Sequence, residues 1–449
     1  MARIDGTPEA DTLAGAAGDD VLTGLAGNDL IEGGAGADAA VFAGRAADYR
    51  LGTESGFLLV TDLNPTDGND GTDRLRGIET LRFSDRDIAV SAGGEIRLNT
   101  ETFDDQARPA LATGGGQSFA AWMSWDQDGD AWGVFAQRLD GSGSPVGGEF
   151  PVNIESADWQ HLPAVAVAAD GSALIVWVSD GQDGSDSGIY ARRFSAPGEA
   201  LGGEFPVNTE TASTQSRPAV TALAGGGYVV LWESFEQDGS GDGVYGQRLA
   251  ADGTPLGAEF RLNQVTAFGQ LRAAVAGLAD GGFVASWVSF QQDGSGDGVY
   301  ARRYDAAGAA VGDEFLVNTV TASDQTEPAI AALPDGGWVI CWSSYVGSSW
   351  EILLQRFDAA GNRLGAETRV NSSTADTQLD ATVTALADGG FVVSWMSFGQ
   401  DGEGYGTYLQ RFDASGAAVG GETLVNTRVA GSQTSPSVTA LPDGGFLVA

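Results

Sequence analysis

The chain has 449 residues and a formal net charge of −38, with 61 acidic side chains against 23 basic ones, every one of them arginine. That length exceeds what one hydrophobic core usually serves, so at least two domains are expected. So acidic a surface repels nucleic-acid phosphates and anionic membranes, and no run approaches the roughly 18 apolar residues of a spanning segment, so neither a nucleic-acid partner nor a membrane span is expected.

At the N-terminus, Asp11, Asp20, Asp29 and Asp38 recur every nine residues, each two residues before Leu13, Leu22, Ile31 and Ala40. Gly6, Gly15, Gly24 and Gly33 open the four nonapeptides, and Gly18, Gly27 and Gly36 hold the fourth position of the last three. Glycine permits tight left-handed turns, and one apolar side chain per turn points into a coil. The aspartate then leaves every turn at the same height, which aligns carboxylates in a row. Ionised carboxylates in a row repel one another unless a hard cation sits among them, and calcium accepts about six to eight oxygens, backbone carbonyls included. Residues 6–42 resemble the hemolysin-type, or RTX, repeats on these positions. Only Gly33-Gly34 keeps the double glycine of that family, and Glu9 stands where the third glycine of the first repeat belongs. The resemblance implies a short parallel β-roll and Ca2+ ligation by the carboxylates of Asp11, Asp20, Asp29 and Asp38 with carbonyls from the turns at Gly18, Gly27 and Gly36. It also implies export from a bacterial cell by a one-step route. Residues 1–11 accordingly carry neither the charged nor the apolar stretch of a cleaved export signal. Four short turns bury little, so order only in the presence of metal is expected.

Residues 43–94 read as a β-rich connector that caps the coil, with Phe57–Val60, an acidic loop and Ile78–Phe83 as its landmarks. Its phrase from Gly71 to Asp85 resembles the segment that accompanies RTX blocks in secreted bacterial proteins. Asp67, Asn69, Asp70 and Asp73 are candidates for one more calcium, though a solvated turn fits them better.

From residue 95 to 449 a longer unit repeats, marked by Trp122, Trp177, Trp232, Trp287, Trp342 and Trp395 at spacings of 55, 55, 55, 55 and 53, with Asn153, Asn208, Asn263, Asn318, Asn371 and Asn426 on the same beat. Each unit spells four short strands bounded by Gly, Asp and Pro, and no stretch holds helical periodicity. A four-stranded sheet of this size cannot cover its own faces, so the copies must pack on one another, which predicts an all-β fold in which the roll is followed by a β-propeller-like domain. A linear β-array is the rival. Six units are complete and a seventh begins at Ser435, so a seven-bladed ring with an incomplete last blade is expected, Glu95–Asn99 closing it as a fourth strand. Further residues beyond Ala449 belong to the same expectation.

The loop after the tryptophan strand carries Gln-Asp-Gly in five of the six complete units, at Gln127, Gln182, Gln237, Gln292 and Gln400, and only the fifth unit, Ser343 to Trp350, departs. Asp-Gly is an ordinary hairpin solution, so these read as turns. Asp126, Asp128 and Asp130, alternating around a glycine, are the exception put forward as a metal site. The repeated tryptophans read as blade packing, whereas Trp125, Trp132, Trp159, Tyr345 and Trp350 lie in loops and are suited to stack on sugar rings. His161 is the sole histidine, and no Gly-x-Ser-x-Gly, His-Glu-x-x-His or phosphate-binding loop occurs, so no enzymatic activity is expected. The combined expectation is a secreted or surface-associated calcium-binding protein whose repeat domain is a scaffold for glycans or surface proteins. A polysaccharide-active enzyme and a structural surface-layer or matrix protein are the alternatives.

Overall fold

The computed structural model describes residues 2–34, 38–45, 48–54, 57–64, 66, 68–78, 80–84, 87–89, 96–141, 143–402, 404–426, 431–442 and 444–449. Gly36, Asp67 and Glu95, singled out above, lie outside the described residues. The chain divides into two compact units, residues 1–96 with 397–434 and residues 97–396 with 435–449. Among the described residues every regular element is a strand, and no helix is long and apolar enough to cross a membrane.

In the first unit ten short strands follow in order: β1 (Arg3–Asp5), β2 (Thr12–Ala14), β3 (Val21–Thr23), β4 (Leu30–Glu32), β5 (Ala39–Val41), β6 (Tyr49–Glu54), β7 (Phe57–Asp62), β8 (Thr72–Arg76), β9 (Thr80–Arg82) and β10 (Asp87–Ala89). They form two sheets, β1-β3-β5-β9-β10 and β2-β4-β8-β7-β6. Successive nonapeptides alternate between the sheets, so each strand pairs in parallel with the one 18 residues later, as Leu22 does with Ile4 and Leu13 with Ile31. One apolar residue per repeat is all the interior needs. Leu22, Ile31 and Ala40 are fully buried, and Leu75, Leu81 and Phe83 extend the same core. The chain then leaves the coil for the β6–β7 hairpin and returns: β8 pairs in parallel with β4, and β9 with β5.

The second unit repeats one sheet. In its first copy Gln106–Gly114, Gln117–Trp125, Trp132–Leu139 and Pro145–Pro151 pair antiparallel in chain order. Five such four-stranded sheets lie wholly in this unit, and the first strand of a sixth does too. The first strands pack one on the next, and Val438–Ala440 packs on both Gln378–Ala385 and Gln106–Gly114, which closes the ring of a β-propeller. Second strands are buried on both faces, as in Ala173–Val178, because neighbouring sheets cover them. Trp177 packs with Phe119 and Val134 of the preceding sheet and Trp232 with Leu174 and Val176, so the repeated indoles are inter-blade core. Cys341 is fully buried in the same interior, and burial pushes its thiol up to about 12, which leaves it inert.

The blade count differs from expectation. Six blades are four-stranded, and Val438–Ala440 with Phe446–Val448 forms only a two-stranded sheet instead of a seventh blade. Residues 96–99 are not in a strand; Leu98, like Leu447 and Ala449, packs against the buried cluster of Leu111, Ala120, Trp122, Phe135 and Leu139.

Candidate functional site

The aspartates of the first unit form a ladder. Asp20, Asp29 and Asp38 each use one carboxylate oxygen to accept the backbone N–H of the residue 18 positions earlier: Ala2 donates to Asp20 at 2.7 Å, Asp11 to Asp29 at 2.7 Å and Asp20 to Asp38 at 2.7 Å, whereas Asp11 accepts from the N–H and hydroxyl of Thr7. The second oxygen turns toward the glycine five residues upstream. A Cβ on Gly24 would lie 2.2 Å from Asp29 Oδ2, and one on Gly33 2.7 Å from Asp38 Oδ2, so glycine there is a steric requirement of the carboxylate row. Gly18 and Gly27 adopt φ of 109° and 127°, the left-handed turn that the nonapeptide needs.

The row has one rung that periodicity missed. Asp29 N–H donates to Asp73 Oδ1 at 2.8 Å, so Asp73 stands where a fifth repeat aspartate would stand, 44 residues along the chain. The local signal was present: Gly71-Thr72-Asp73-Arg74-Leu75-Arg76-Gly77 has the same skeleton as Gly27-Asn28-Asp29-Leu30-Ile31-Glu32-Gly33. Asp70, by contrast, accepts from Tyr49 Oη and the Ala43 N–H, so it is a fastening of the hairpin.

The electrostatics of the ladder call for a cation. Asp20, Asp29, Asp38 and Asp73 are all buried. The Ala16 and Ala2 N–H groups hold the Asp20 carboxyl below its usual value. Burial pushes Asp29 up, and burial with the neighbouring Asp29 and Asp70 charges pushes Asp73 up to about 8. Asp29 Oδ2 is buried and has no hydrogen-bond partner among the described residues. An orphaned carboxylate oxygen, glycine carbonyls from stacked turns and raised carboxyls fit calcium, which supplies positive charge and accepts main-chain oxygens. Among the described residues no three acidic, histidine or cysteine side chains converge on one point, so carbonyls would have to complete each shell.

In the propeller the repeated polar residues are spent on joining blades. Asn263 accepts the Val244 N–H at 3.0 Å and donates to Val265 O and Gln270 Oε1, both at 2.8 Å. Glu259 accepts the Thr209 N–H of the preceding blade at 2.8 Å and the amide of Gln237 at 2.5 Å. The Gln-Asp-Gly loop is therefore a clasp. Asp128 takes part in it through Asn153 Nδ2 at 2.8 Å, whereas Asp126 and Asp130 are exposed and are not gathered with it into a metal-type group. Replacing Asn263 with alanine strands the buried Val244 N–H, so a loss of about 2 kcal/mol is expected in denaturant unfolding of the full chain. An unchanged midpoint would show that the clasp is idle.

A second concentration of charge lies inside the ring. At the same place in each repeat Arg108, Leu162, Arg217, Arg272, Glu327, Asp380 and Ser435 have φ between 50° and 59°, the first six within first strands and Ser435 just before Val438–Ala440. Five of them precede proline. A left-handed non-glycine residue costs about 1–3 kcal/mol and clusters at functional sites, and proline at the next position narrows the choice further. These residues line a pocket of about 300 Å³. Arg272 pairs with Glu327 at 2.6 Å. Glu233, beneath them, accepts the Arg272 N–H at 2.5 Å and lies 3.8 Å from Arg217. Burial pushes Glu233 up to about 7 and Asp380 above its ordinary value, the latter helped by Glu327. Sequence reasoning missed this site because these residues hold the position at which the repeat does not repeat.

The aromatics expected in loops lie, except for Trp159, in the ends of strands, where Trp125 pairs across the hairpin with Trp132 and Tyr345 with Trp350. Trp125 meets Trp132 at 5.4 Å and Trp159 at 6.5 Å, and Tyr345 meets Trp350 at 5.4 Å. Trp125 and Trp159 remain 38% and 48% exposed, enough open face for a planar ligand.

Residues 5–39 match the RTX calcium-binding nonapeptide repeat family, in four copies. No curated protein matches the chain. Among solved structures, a Dyadobacter fermentans protein of unknown function is similar at 11% identity and TM-score 0.49, over 66% of this chain and 95% of that one. The Penicillium chrysogenum α-L-arabinanase complexed with arabinobiose is similar at 13% identity and TM-score 0.46, over 64% and 88%. The Fusarium graminearum α-L-arabinofuranosidase with an iminosugar inhibitor is similar at 11% and 0.45, over 64% and 87%. The expectation of no enzymatic activity is withdrawn: glycoside hydrolysis runs on two carboxyl groups that no linear motif announces, and Glu327 and Asp380 stand together in the pocket inside the ring.

Proposed function

We propose that the first unit is a calcium-binding parallel β-roll that folds outside the cell and that the propeller serves as a glycan-binding scaffold. Asp11, Asp20, Asp29 and Asp38 supply the carboxylates and the turns at Gly18, Gly27 and Gly36 the carbonyls, with Asp73 as the last rung. The buried Asp29 Oδ2 without a hydrogen-bond partner carries this reading. Calcium is scarce inside cells and abundant outside, and a ligand at 100 times its dissociation constant stabilises the folded form by about 2.7 kcal/mol. That amount decides the state of a small stack, which suits one-step export of an unfolded chain.

Calcium titration calorimetry on the full chain tests the proposal. Binding is expected in the parent, and its loss in the Asp20→Ala, Asp29→Ala, Asp38→Ala variant. Asp73→Asn is expected to weaken binding about tenfold without abolishing it. A parent that binds no calcium would remove the reading; full binding in the triple variant would move the metal to other residues.

A second reading has its own observation. Glu327 and Asp380 bring two carboxyl groups to one pocket, Asp380 held above its ordinary value by burial and by the Glu327 charge, with Glu233 buried behind Arg272. That is the equipment of a polysaccharide-active enzyme with its site at the mouth of the ring.

A further inference from the structure

We propose that the pocket inside the ring binds a carboxylate-bearing sugar, a uronic-acid unit of an acidic oligosaccharide. The inference rests on the glycan-binding reading of the propeller and names its place and its ligand class. Three guanidinium groups, Arg108, Arg217 and Arg272, line one pocket in a chain of net charge −38. Such a chain repels anions everywhere else, so a local cluster of arginines marks where one is admitted. Their fork of donors matches a carboxylate in two-pronged fashion.

Packing does not account for these arginines. Leu162 and Ser435 adopt the same left-handed conformation, with φ of 52° and 56°, and carry no charge. The backbone therefore tolerates a neutral residue, and the charged ones are an addition to the fold. Their engagement is also uneven: Arg272 is held by Glu327 at 2.6 Å, Arg217 stands 3.8 Å from Glu233, and Arg108 has no ion-pair partner among the described residues. Arg108 and Arg217 are exposed to the pocket's solvent side. Arg108 is thus available to a ligand, and Arg217 is held only loosely at 3.8 Å.

The remaining lining fits the rest of a sugar. Asp380 offers an acceptor for hydroxyl groups, Glu327 being engaged by Arg272, Ser343 and the Asp380 N–H, and Leu162 with Pro163 offers an apolar surface for a ring face. A volume of about 300 Å³ sits at the small end of ligand pockets and suits one sugar unit with its neighbours outside. A simple anion would use the arginines alone and make no use of the Asp380 carboxyl or the apolar surface.

Calorimetry on the full chain at fixed calcium, with trigalacturonate, its carboxyl-reduced counterpart and acetate as probes, decides the matter. Trigalacturonate is expected to bind, at least tenfold more tightly than the reduced sugar, with affinity falling as salt rises. Arg108→Gln and Arg217→Gln are each expected to cost about tenfold. Arg108→Lys, which keeps the charge and loses the fork, is expected to cost less than Arg108→Gln and serves as the readout should the glutamine variant fold poorly. Equal binding of the reduced sugar, unaffected by the arginine variants, would overturn the site and leave the glycan reading standing. Binding of acetate as tight as that of trigalacturonate would overturn the sugar. Absence of binding by any oligosaccharide would overturn both this inference and the glycan reading, while the calcium proposal stands on its own titration.

Discussion

Replacing Gly33 with alanine is expected to unfold the N-terminal stack even in saturating calcium. A Cβ at that position would lie 1.8 Å from the carbonyl oxygen of Gly77 and 2.7 Å from Asp38 Oδ2. The first obstacle is backbone of the adjacent turn, which cannot step aside without breaking the parallel pairing of β4 with β8. Costs above about 4 kcal/mol arise from this kind of clash, and a coil with one apolar residue per turn has no such reserve. Gly18→Ala is the control. Gly18 also has a positive φ of 109°, but nothing lies within 4 Å of its added Cβ, so only backbone strain of about 1–3 kcal/mol is expected. Hydrogen exchange of peptides spanning residues 2–82 separates the two. Gly33→Ala should lose protection throughout and Gly18→Ala only in part; equal protection of parent and Gly33→Ala would show that the turns are not stacked as described.

The second large effect concerns pH. Burial raises Glu233 from an ordinary value of 4.5 to about 7, against the opposing pull of the Arg272 N–H and Arg217. The folded state therefore holds this proton more tightly than the unfolded one. Its contribution is fully present below pH 4.5 and is lost as pH rises through 7, a change of about 3 kcal/mol. Glu233→Gln keeps an acceptor for the Arg272 N–H and removes the titration. Denaturant unfolding of parent and variant at pH 4.5, 6 and 8 should give curves that diverge as pH rises, the parent losing about 3 kcal/mol relative to the variant. Parallel curves would mean that Glu233 titrates alike in both states.

How far the sequence led depends on what repeats. Leu22, Ile31 and Ala40 were legible as core because a period of nine fixes one inward side chain per turn, and they are fully buried. The tryptophans were legible as packing because a period near 55 places them in strands apolar on both faces. Asp73 was not legible as a rung. The β6–β7 hairpin inserted between Asp38 and Asp73 breaks the count, although the spelling Gly-x-Asp-x-Leu-x-Gly survives it. Nor were the clasps legible. Gln237 and Glu259 are 22 residues apart, and only the sheet brings them together. Arg108, Arg217 and Arg272 stayed hidden for the opposite reason, since a search for recurrence passes over the position that varies.

The crossings between blades carry a consequence for how the chain withstands damage. The segment Asn208–Gln215 is rich in Ser, Thr and Ala and runs on the surface, the composition at which proteases usually cut. Yet Asn208 bonds Gln215 at 3.1 Å, Glu259 takes the Thr209 N–H, and Gln215 returns to Ala212 O at 2.8 Å. To fit a protease the segment must be drawn out straight, which requires breaking these bonds together with the blade contacts they guard. A chain whose single cysteine forbids any internal disulfide has tied its most vulnerable stretches with amides and carboxylates, so a nicked crossing would still be held at both cut ends.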